Sequence, residues 1–558
     1  MKSTSGIHSW LRLTVVICTA FASVVAATAP AAGQQEVDHF PQALLAPGAP
    51  DVVEIRAGEL PGRMVNGEEI DVKGCVQTVI SDSVKTSNTS EGTIGTRGLI
   101  KPGAYLCGDG VAIANQIIVE GTTSELAKLQ QRDNNPGVKL TTELVKPNPD
   151  KRDSKGINLY TITDRMSVVE KVKTINLDLR ETKHISVLAT PNYETASKMT
   201  ALYGGSPSIG GSPSGPKGLA RTEADFKNQW AWKAINKPAS PKTDLNGNGV
   251  VVGIFDSFCM PAKYLQRDGT VVNIPRFAVI GQQAETSPIT GSHIENVCAH
   301  GEFVWSLSHE VAPGAKYFFY PVLDEYGLGD TATLIAALEQ FAATAQRLDR
   351  PKGIKELQGV VINLSLTINS AQGDIVGPLN DEITKLVDMG VTVVAAAGND
   401  SSAGVQPMRP PAAFSNVIGV AAVQVDNQRA SYSNWAPTGS IDVAAPGGDG
   451  DCTTANGAPY CVIGRDRNTQ FLCKSISKAG KCVHPYRYVA GYLAWTGTSF
   501  ATPLVSGLAA LVIQKHNYTI APVDVARELI VNVTKVTPIL PGDAGIGAGI
   551  IDVDKTVP

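Results

Sequence analysis

The feature that most constrains this chain is a series of short, wholly apolar runs spaced by helix-length segments in its second half. GVVVGIF (249–255), AKYFFYPVL (315–323), GVVINLSL (359–366), VTVVAAA (391–397) and NVIGVAAV (416–423) lack the polar alternation of strands with one wet face. Thr331 to Leu348 and Leu379 to Met389 are long enough for helices between them. Strands buried on both faces and interleaved with helices make a parallel sheet covered on both sides. The pattern predicts a three-layer α/β/α domain with a mostly parallel sheet over 223–558.

A Gly/Ser/Pro stretch, YGGSPSIGGSPSGPK (203–217), reads as a flexible linker, placed at 201–222. Before it, ANQIIVEGTT (114–123) reads as a strand and Leu126 to Gln131 as a short helix. NLYTITD (158–164) is a second strand, RMSVVEKVKTI (165–175) a helix and HISVLAT (184–190) a third strand. Residues 113–200 thus form a small α+β unit. Residues 33–112 are Gly-rich and weakly patterned, and nothing further is read from them.

The first residues read as an export signal over 1–32. Lys2 and Arg12 precede the uncharged apolar run Leu13 to Ala27, and the small residues Ala29, Ala31 and Ala32 follow. That run is shorter than the ~20 residues a membrane span needs. Secretion or a periplasmic location is the expectation, with no membrane association once the signal is removed. Of nine cysteines, only Cys18 lies in the signal. The even remainder favours disulfides. They group as Cys75 with Cys107, Cys259 with Cys298, and Cys452, Cys461, Cys473 and Cys482, whose pairing stays open. The last four lack the CxxC spacing of a zinc site. A net charge of −4 gives no reason to expect nucleic acid or an anionic membrane as partner.

Four residues stand where serine-dependent acyl transfer needs them. Ser499 lies in TGTSFATPLVSGLAALVIQ (496–514), where small residues permit a turn directly before an apolar helix. Its place is that helix's N-terminus, whose free N–H groups favour developing negative charge. Asp256 ends the strand VVVGIFDS, at the carboxyl edge where open α/β sheets place their sites. His300 opens AHGEFVWSLSHEVAPGA (299–315), and Asn399 follows a buried strand in VVAAAGND (393–400). Each alone has a plain reading as a cap, a turn or a structural histidine.

Taken together, these motifs resemble the subtilisin-like serine peptidases, in the order Asp, His, Ser. RASYSN (429–434), DVAAPG (442–447) and GAGIIDVDKTV (547–557) extend the resemblance over about 223–558. It implies a catalytic triad of Asp256, His300 and Ser499, with Asn399 in the oxyanion hole. NLSL (363–366) is similar to the family's substrate-binding edge, implicating Ser365 and Leu366, with Ala396 and Gly398 on the opposite wall. The upstream unit, ending in SVLATPNY, resembles the family's ferredoxin-like inhibitory propeptide. The resemblance therefore implies a zymogen inhibited by its own propeptide, acting on proteins or peptides, with cleavage between Tyr193 and about Thr222. No cofactor or metal is implied for catalysis. Family members often bind structural calcium, but DLNGNG (244–249) reads as a plain turn and no ligand set is assigned.

The chain departs from the family pattern in several places. Ser257 and Phe258 follow Asp256 where a small pair ending in Gly is usual, and HGEFVWS stands for the usual HGTHVAG, making Glu302, Phe303, Trp305 and Ser306 unusual. Thr367 replaces the Gly expected after Ser-Leu, and a Cys-rich insertion occupies about 449–488. Cys259 and Cys298 flank the Asp256 and His300 loops and are the candidates for a bridge between them. Two other functions compete with a peptidase. A catalytically silent binding scaffold is set against the presence of all four chemical residues. An α/β-hydrolase esterase fails because Ser499 lies in GTSFATP rather than GxSxG.

Overall fold

The computed structural model describes residues 110–150, 154–196, 222–238, 244–257, 300–323, 327–348, 357–370, 376–403, 406–435, 441–449, 460–465, 492–537 and 545–558. It also describes short strands at 52–55, 64–65, 68–69, 263–265, 271–273, 469–473 and 485–489. The signal, the linker through Arg221, most of 33–112, and Cys259 and Cys298 lie outside the described residues.

The amino-terminal sheet starts with β1 (Val52–Ile55), which pairs with the long β2 (Gly110–Thr122). Next come α1 (Thr123–Leu129), β3 (Val138–Val145), β4 (Lys155–Ile162), α2 (Val168–Lys173), α3 (Leu179–Lys183) and β5 (Leu188–Ala196). The spatial order β5-β2-β4-β3 is antiparallel throughout. With its β-α-β-β-α-β sequence this is the ferredoxin-like arrangement. Capping boxes start both leading helices: Thr122 with Glu125, and Ser167 with Glu170.

Three details differ from the sequence expectation. β3, VKLTTELV, was not visible because only its ends are buried and its middle is polar and partly exposed. The helix expected at 165–175 starts at Val168, where Ser167 caps it, and continues through a π turn into α3. The last strand runs Leu188–Ala196 rather than 184–190. His184 closes α3 in a left-handed conformation, which delays the strand, and partners beyond 190 prolong it.

The carboxy-terminal domain opens with α4 (Glu223–Asn228) and α5 (Trp230–Ala234). It continues with β6 (Val251–Ser257), α6 (His300–Val311), β7 (Lys316–Leu323), β8 (Leu328–Asp330), α7 (Thr331–Gln346), β9 (Val360–Leu364) and β10 (Thr367–Ile368). α8 (Gly377–Asp388), β11 (Val391–Ala396), β12 (Ile418–Val423), β13 (Val443–Pro446), β14 (Val462–Arg465) and β15 (Tyr492–Trp495) follow. α9 (Thr498–Lys515), α10 (Pro522–Val531) and α11 (Val553–Thr556) complete it.

Its central sheet is parallel, in the order β7-β6-β9-β11-β12-β13. Every residue of β6, β9, β11, β12 and β13 is buried, as the unbroken apolar runs require. α9 is buried along nearly its whole length and packs against this sheet, and α7 and α8 cover other strands. Phe255, Tyr320 and Phe341 meet in stacked and edge contacts within this core, each worth about 0.5–1.5 kcal/mol beyond burial. The three-layer α/β/α expectation holds. DLNGNG forms a turn in which Asn246 Oδ1 accepts from Asn248 N at 2.9 Å, and Gln514 Oε1 accepts from Asn246 N and Gly247 N at 2.9 and 2.7 Å.

The end of β5 is held by carboxy-terminal elements on both edges. Thr195 and Ala196 pair with β8 and also with β10. Asn192 Oδ1 accepts from Ala332 N at 2.9 Å, its Nδ2 donates to Asp330 Oδ1 at 3.0 Å, and Thr331 Oγ1 donates to Tyr193 O at 3.0 Å. Burial keeps the Asp330 carboxyl above the usual carboxylate range despite these donors. Farther along, Lys155 Nζ lies 2.5 Å from Glu120 on β2 and 3.4 Å from Asp381 on α8. Burial first, and the Asp381 charge second, push the Glu120 carboxyl up to about 7, against the opposing pull of Lys155.

Candidate active site

The parallel topology delivers two polar side chains, Asp256 and Ser257, at the carboxyl end of β6. Asp256 is wholly buried, and its Oδ1 accepts from Ser257 N at 2.7 Å. The same oxygen lies 2.6 Å from Nδ1 of His300, the first residue of α6, also wholly buried. A carboxylate accepts only, so Nδ1 is the donor and the proton-accepting lone pair is left on Nε2. Nε2 of His300 and Oδ2 of Asp256 have no hydrogen-bond partner among the described residues.

Ser499 is the second residue of α9 and is buried to 3% exposure. Its Oγ donates to the Ser365 carbonyl at 3.0 Å, and Ser365 Oγ donates back to the Ser499 carbonyl at 2.8 Å. Among the described residues no hydrogen bond joins Ser499 to His300. Such contacts commonly close only around a bound substrate. Ser365 is positioned in turn by Asn363 Nδ2 at 2.9 Å, whose Oδ1 accepts from Ser506 Oγ at 2.9 Å. A polar ladder therefore runs from β9 to α9 beneath the serine.

Asn399, just past β11, is tied to the start of α9. Its Oδ1 accepts from Thr498 N at 3.0 Å and from Thr498 Oγ1 at 2.7 Å. With the oxygen so engaged, the Nδ2 end is turned toward Gly497, 3.4 Å from where a Cβ on that glycine would stand. Thr498, which sequence reasoning passed over, thus orients the amide. Gly398 has φ +112, and a Cβ there would stand 2.4 Å from Asn434 Nδ2, so only glycine fits. Leu366 and Ala396 are buried beside these groups.

The unusual residues of α6 find their partners in the insertion and in the segment from Trp495 to Phe500 that follows it. Phe303 stacks on Trp495 with centroids 5.2 Å apart and meets Phe500 at 4.4 Å, and the His300 ring lies 5.3 Å from Phe500. β14, inside the Cys-rich segment, pairs with β15 and lays Gly464 on the Phe303 ring. Ser306 Oγ accepts from Arg465 N at 2.9 Å and donates to Phe303 O at 2.7 Å. The Arg465 guanidinium sits 5.9 Å from the Trp305 ring, and Glu302 is buried. Gln229, between α4 and α5, clasps Ile463 through both its amide atoms at 2.8 Å. Bulk on α6 and the missing side chain on β14 are complementary, and neither departure is readable without the other.

A Cβ at Gly464 would stand 2.4 Å from Phe303 Cδ1. Gly464→Ala is expected to cost about 1–3 kcal/mol in chemical denaturation, as overpacking does. Combined with Phe303→Ala it should cost less than the sum of the two single changes. Additive effects would rule out this packing.

Residues 247–547 match the profile of the Subtilase family. The chain is 32% identical over 293 residues to Subtilisin E of Bacillus subtilis (strain 168), covering 50% of this chain and 60% of that protein. It is 32% identical over 293 residues to Subtilisin of Bacillus pumilus, covering 50% of this chain and 83% of that one. The crystal structure of fervidolysin from Fervidobacterium pennivorans, described as a keratinolytic enzyme related to subtilisin, aligns with TM-score 0.50. That alignment covers 80% of this chain and 61% of fervidolysin at 16% identity, and it speaks to the fold.

Proposed function

Because this chain belongs to the subtilase family, we propose that it is a serine endopeptidase that cuts protein or peptide substrates through an acyl-enzyme. The observation that carries this reading is the wholly buried 2.6 Å contact between Asp256 and His300, with Ser499 at the head of α9 beside Asn399. In this reading Asp256 holds the imidazole in one tautomer and stabilises the imidazolium. His300 Nε2 takes the Ser499 proton as Oγ attacks the scissile carbonyl, and returns it to the leaving amine. The Ser499 N–H and the Asn399 amide receive the oxyanion. Water then hydrolyses the acyl-enzyme, and no cofactor or metal is required. Ser365, Leu366, Ala396 and Gly398 bound the substrate.

The same reading takes the amino-terminal sheet as an inhibitory propeptide. Its support is the pairing of Thr195 and Ala196 with both β8 and β10, which leaves no free edge there for a substrate. Export completes the picture, with the uncharged apolar run Leu13 to Ala27 and the small residues after it as support. Disulfides belong to it as well, Cys461 being buried among the candidates. A bridge between Cys259 and Cys298 is part of this proposal.

A fluorophosphonate probe tests the activity directly. The chain, freed of its amino-terminal sheet by processing, should carry the label on the peptide containing Ser499, and Ser499→Ala should carry none. Equal labelling of both would overturn the reading, and absence of label on the wild-type chain as well as the variant would favour a silent scaffold.

A further inference from the structure

We propose that the insertion strand β14, acting through Phe303, positions the imidazole of His300 for catalysis; this rests on the serine peptidase reading above. The bond from His300 Nδ1 to Asp256 Oδ1 holds one atom of the ring and leaves rotation about that bond undetermined. Nε2 has no hydrogen-bond partner among the described residues, so packing against the ring must aim it. Phe500 lies 5.3 Å from the imidazole, centroid to centroid. Trp495 lies 6.5 Å away with its plane tilted by 27°.

Phe303 holds both of these rings. It follows His300 by three residues on α6, so the two side chains share one face of the helix. Its ring is wholly buried, 4.4 Å from Phe500 and 5.2 Å from Trp495. Behind it stands Gly464. The three atoms nearest to a Cβ at that glycine, at 2.4 to 2.6 Å, all belong to the Phe303 ring. The ring therefore rests on bare backbone and has no room to retreat.

That backbone is itself tied down. Gln229 Nε2 donates to Ile463 O and its Oε1 accepts from Ile463 N, both at 2.8 Å. Trp230 Nε1 donates to Cys461 O at 2.9 Å, and Arg465 N donates to Ser306 Oγ at 2.9 Å. β14 is thus a fixed wall. Contact passes from it through Phe303 to Phe500 and Trp495, and from those rings to His300. Phe303 meets none of the reacting atoms and acts as a positioning residue.

The test compares variants of the processed chain on a reporter peptide. Phe303→Ala empties the space between β14 and Phe500, and a misplaced base slows the chemical step rather than binding. Its kcat should fall by about 10²-fold, the cost of roughly 1 Å of misplacement. KM should stay within about threefold, since substrate binding is untouched. Labelling of Ser499 by a fluorophosphonate should slow in proportion to kcat. Phe303→Leu, which refills most of the space, should restore kcat to within about fivefold of wild type. Leu529→Ala, a buried change on α10, should destabilise the fold with kcat unchanged. The proton of the 2.6 Å bond between His300 and Asp256, read by NMR, should be sharp in wild type and broadened in Phe303→Ala. If Phe303→Ala does not fold, Gly464→Ala, which pushes the ring toward Phe500, carries the same expectations, with Phe303→Leu added to it restoring kcat.

Unchanged kcat in Phe303→Ala, or a loss that Leu529→Ala matches, overturns the positioning role and leaves the peptidase reading standing. Failure of the wild-type chain to cut peptides or take the label overturns the peptidase reading instead. The NMR proton then decides alone, and the same resonance in wild type and Phe303→Ala overturns the positioning role.

Discussion

Ser499→Ala is expected to lower kcat for peptide hydrolysis by about 10⁶-fold, the scale at which a serine nucleophile acts within a triad. That factor equals about 8 kcal/mol of transition-state free energy. The structural loss is far smaller. Among the described residues Ser499 Oγ makes one hydrogen bond, to the Ser365 carbonyl, worth about 1 kcal/mol net. The residue is buried to 3% exposure, and alanine occupies less space without adding contacts. Activity should therefore collapse while the unfolding midpoint shifts by a few degrees at most. Asn399 and the Ser499 N–H remain in place, so a small residual rate from oxyanion binding should survive. The comparison needs purified variant, kcat measured on a reporter peptide, and a thermal melt. Retention of more than about one hundredth of wild-type kcat would exclude Ser499 as the nucleophile.

Asp256→Asn is expected to lower kcat by about 10⁴-fold with the fold retained. The pair Asp256 and His300 is wholly buried, so no solvent replaces the lost charge. If the asparagine oxygen keeps its bond from Ser257 N, His300 Nδ1 still has an acceptor but the imidazolium has no buried counter-charge. If the amide flips, its Nδ2 donates to Nδ1 and forces the proton onto Nε2, where it blocks general-base action. Either outcome raises the barrier, by about 5 kcal/mol at 10⁴-fold. The substitution is isosteric, so circular dichroism and the denaturation midpoint should stay near wild type. An Asp256→Asn enzyme within tenfold of wild type would show that the 2.6 Å contact is structural rather than chemical.

Local sequence was enough for the elements on which these effects depend. The buried runs of β6, β9, β11 and β12 carry no polar alternation, so a covered parallel sheet was the one arrangement that hid both faces. The Asp256, His300, Asn399 and Ser499 motifs were readable because each sits at an element end that the run itself defines. Thr498 was not singled out, although it sits within the serine motif, because its role is to engage Asn399 across a sequence gap of 99 residues. The fit of Gly464 to Phe303 joins a departure on α6 to a strand of the insertion, and neither segment announces the other.

The contacts of β5 mark the same boundary. HISVLAT reads as a strand over 184–190, but the length of β5 was set by β8 and β10, which come from the other domain. By itself, then, the sequence determined which apolar runs are strands buried on both faces, which segments between them are helices, and which chemical residues stand at their ends. Those properties follow from local periodicity and from the cost of wetting apolar surface. Only the tertiary structure decided that Ser499 meets Ser365, that Phe303 meets Gly464, and where β5 stops. Those outcomes depend on register and close packing between segments far apart in the chain, where a shift of one residue changes every partner.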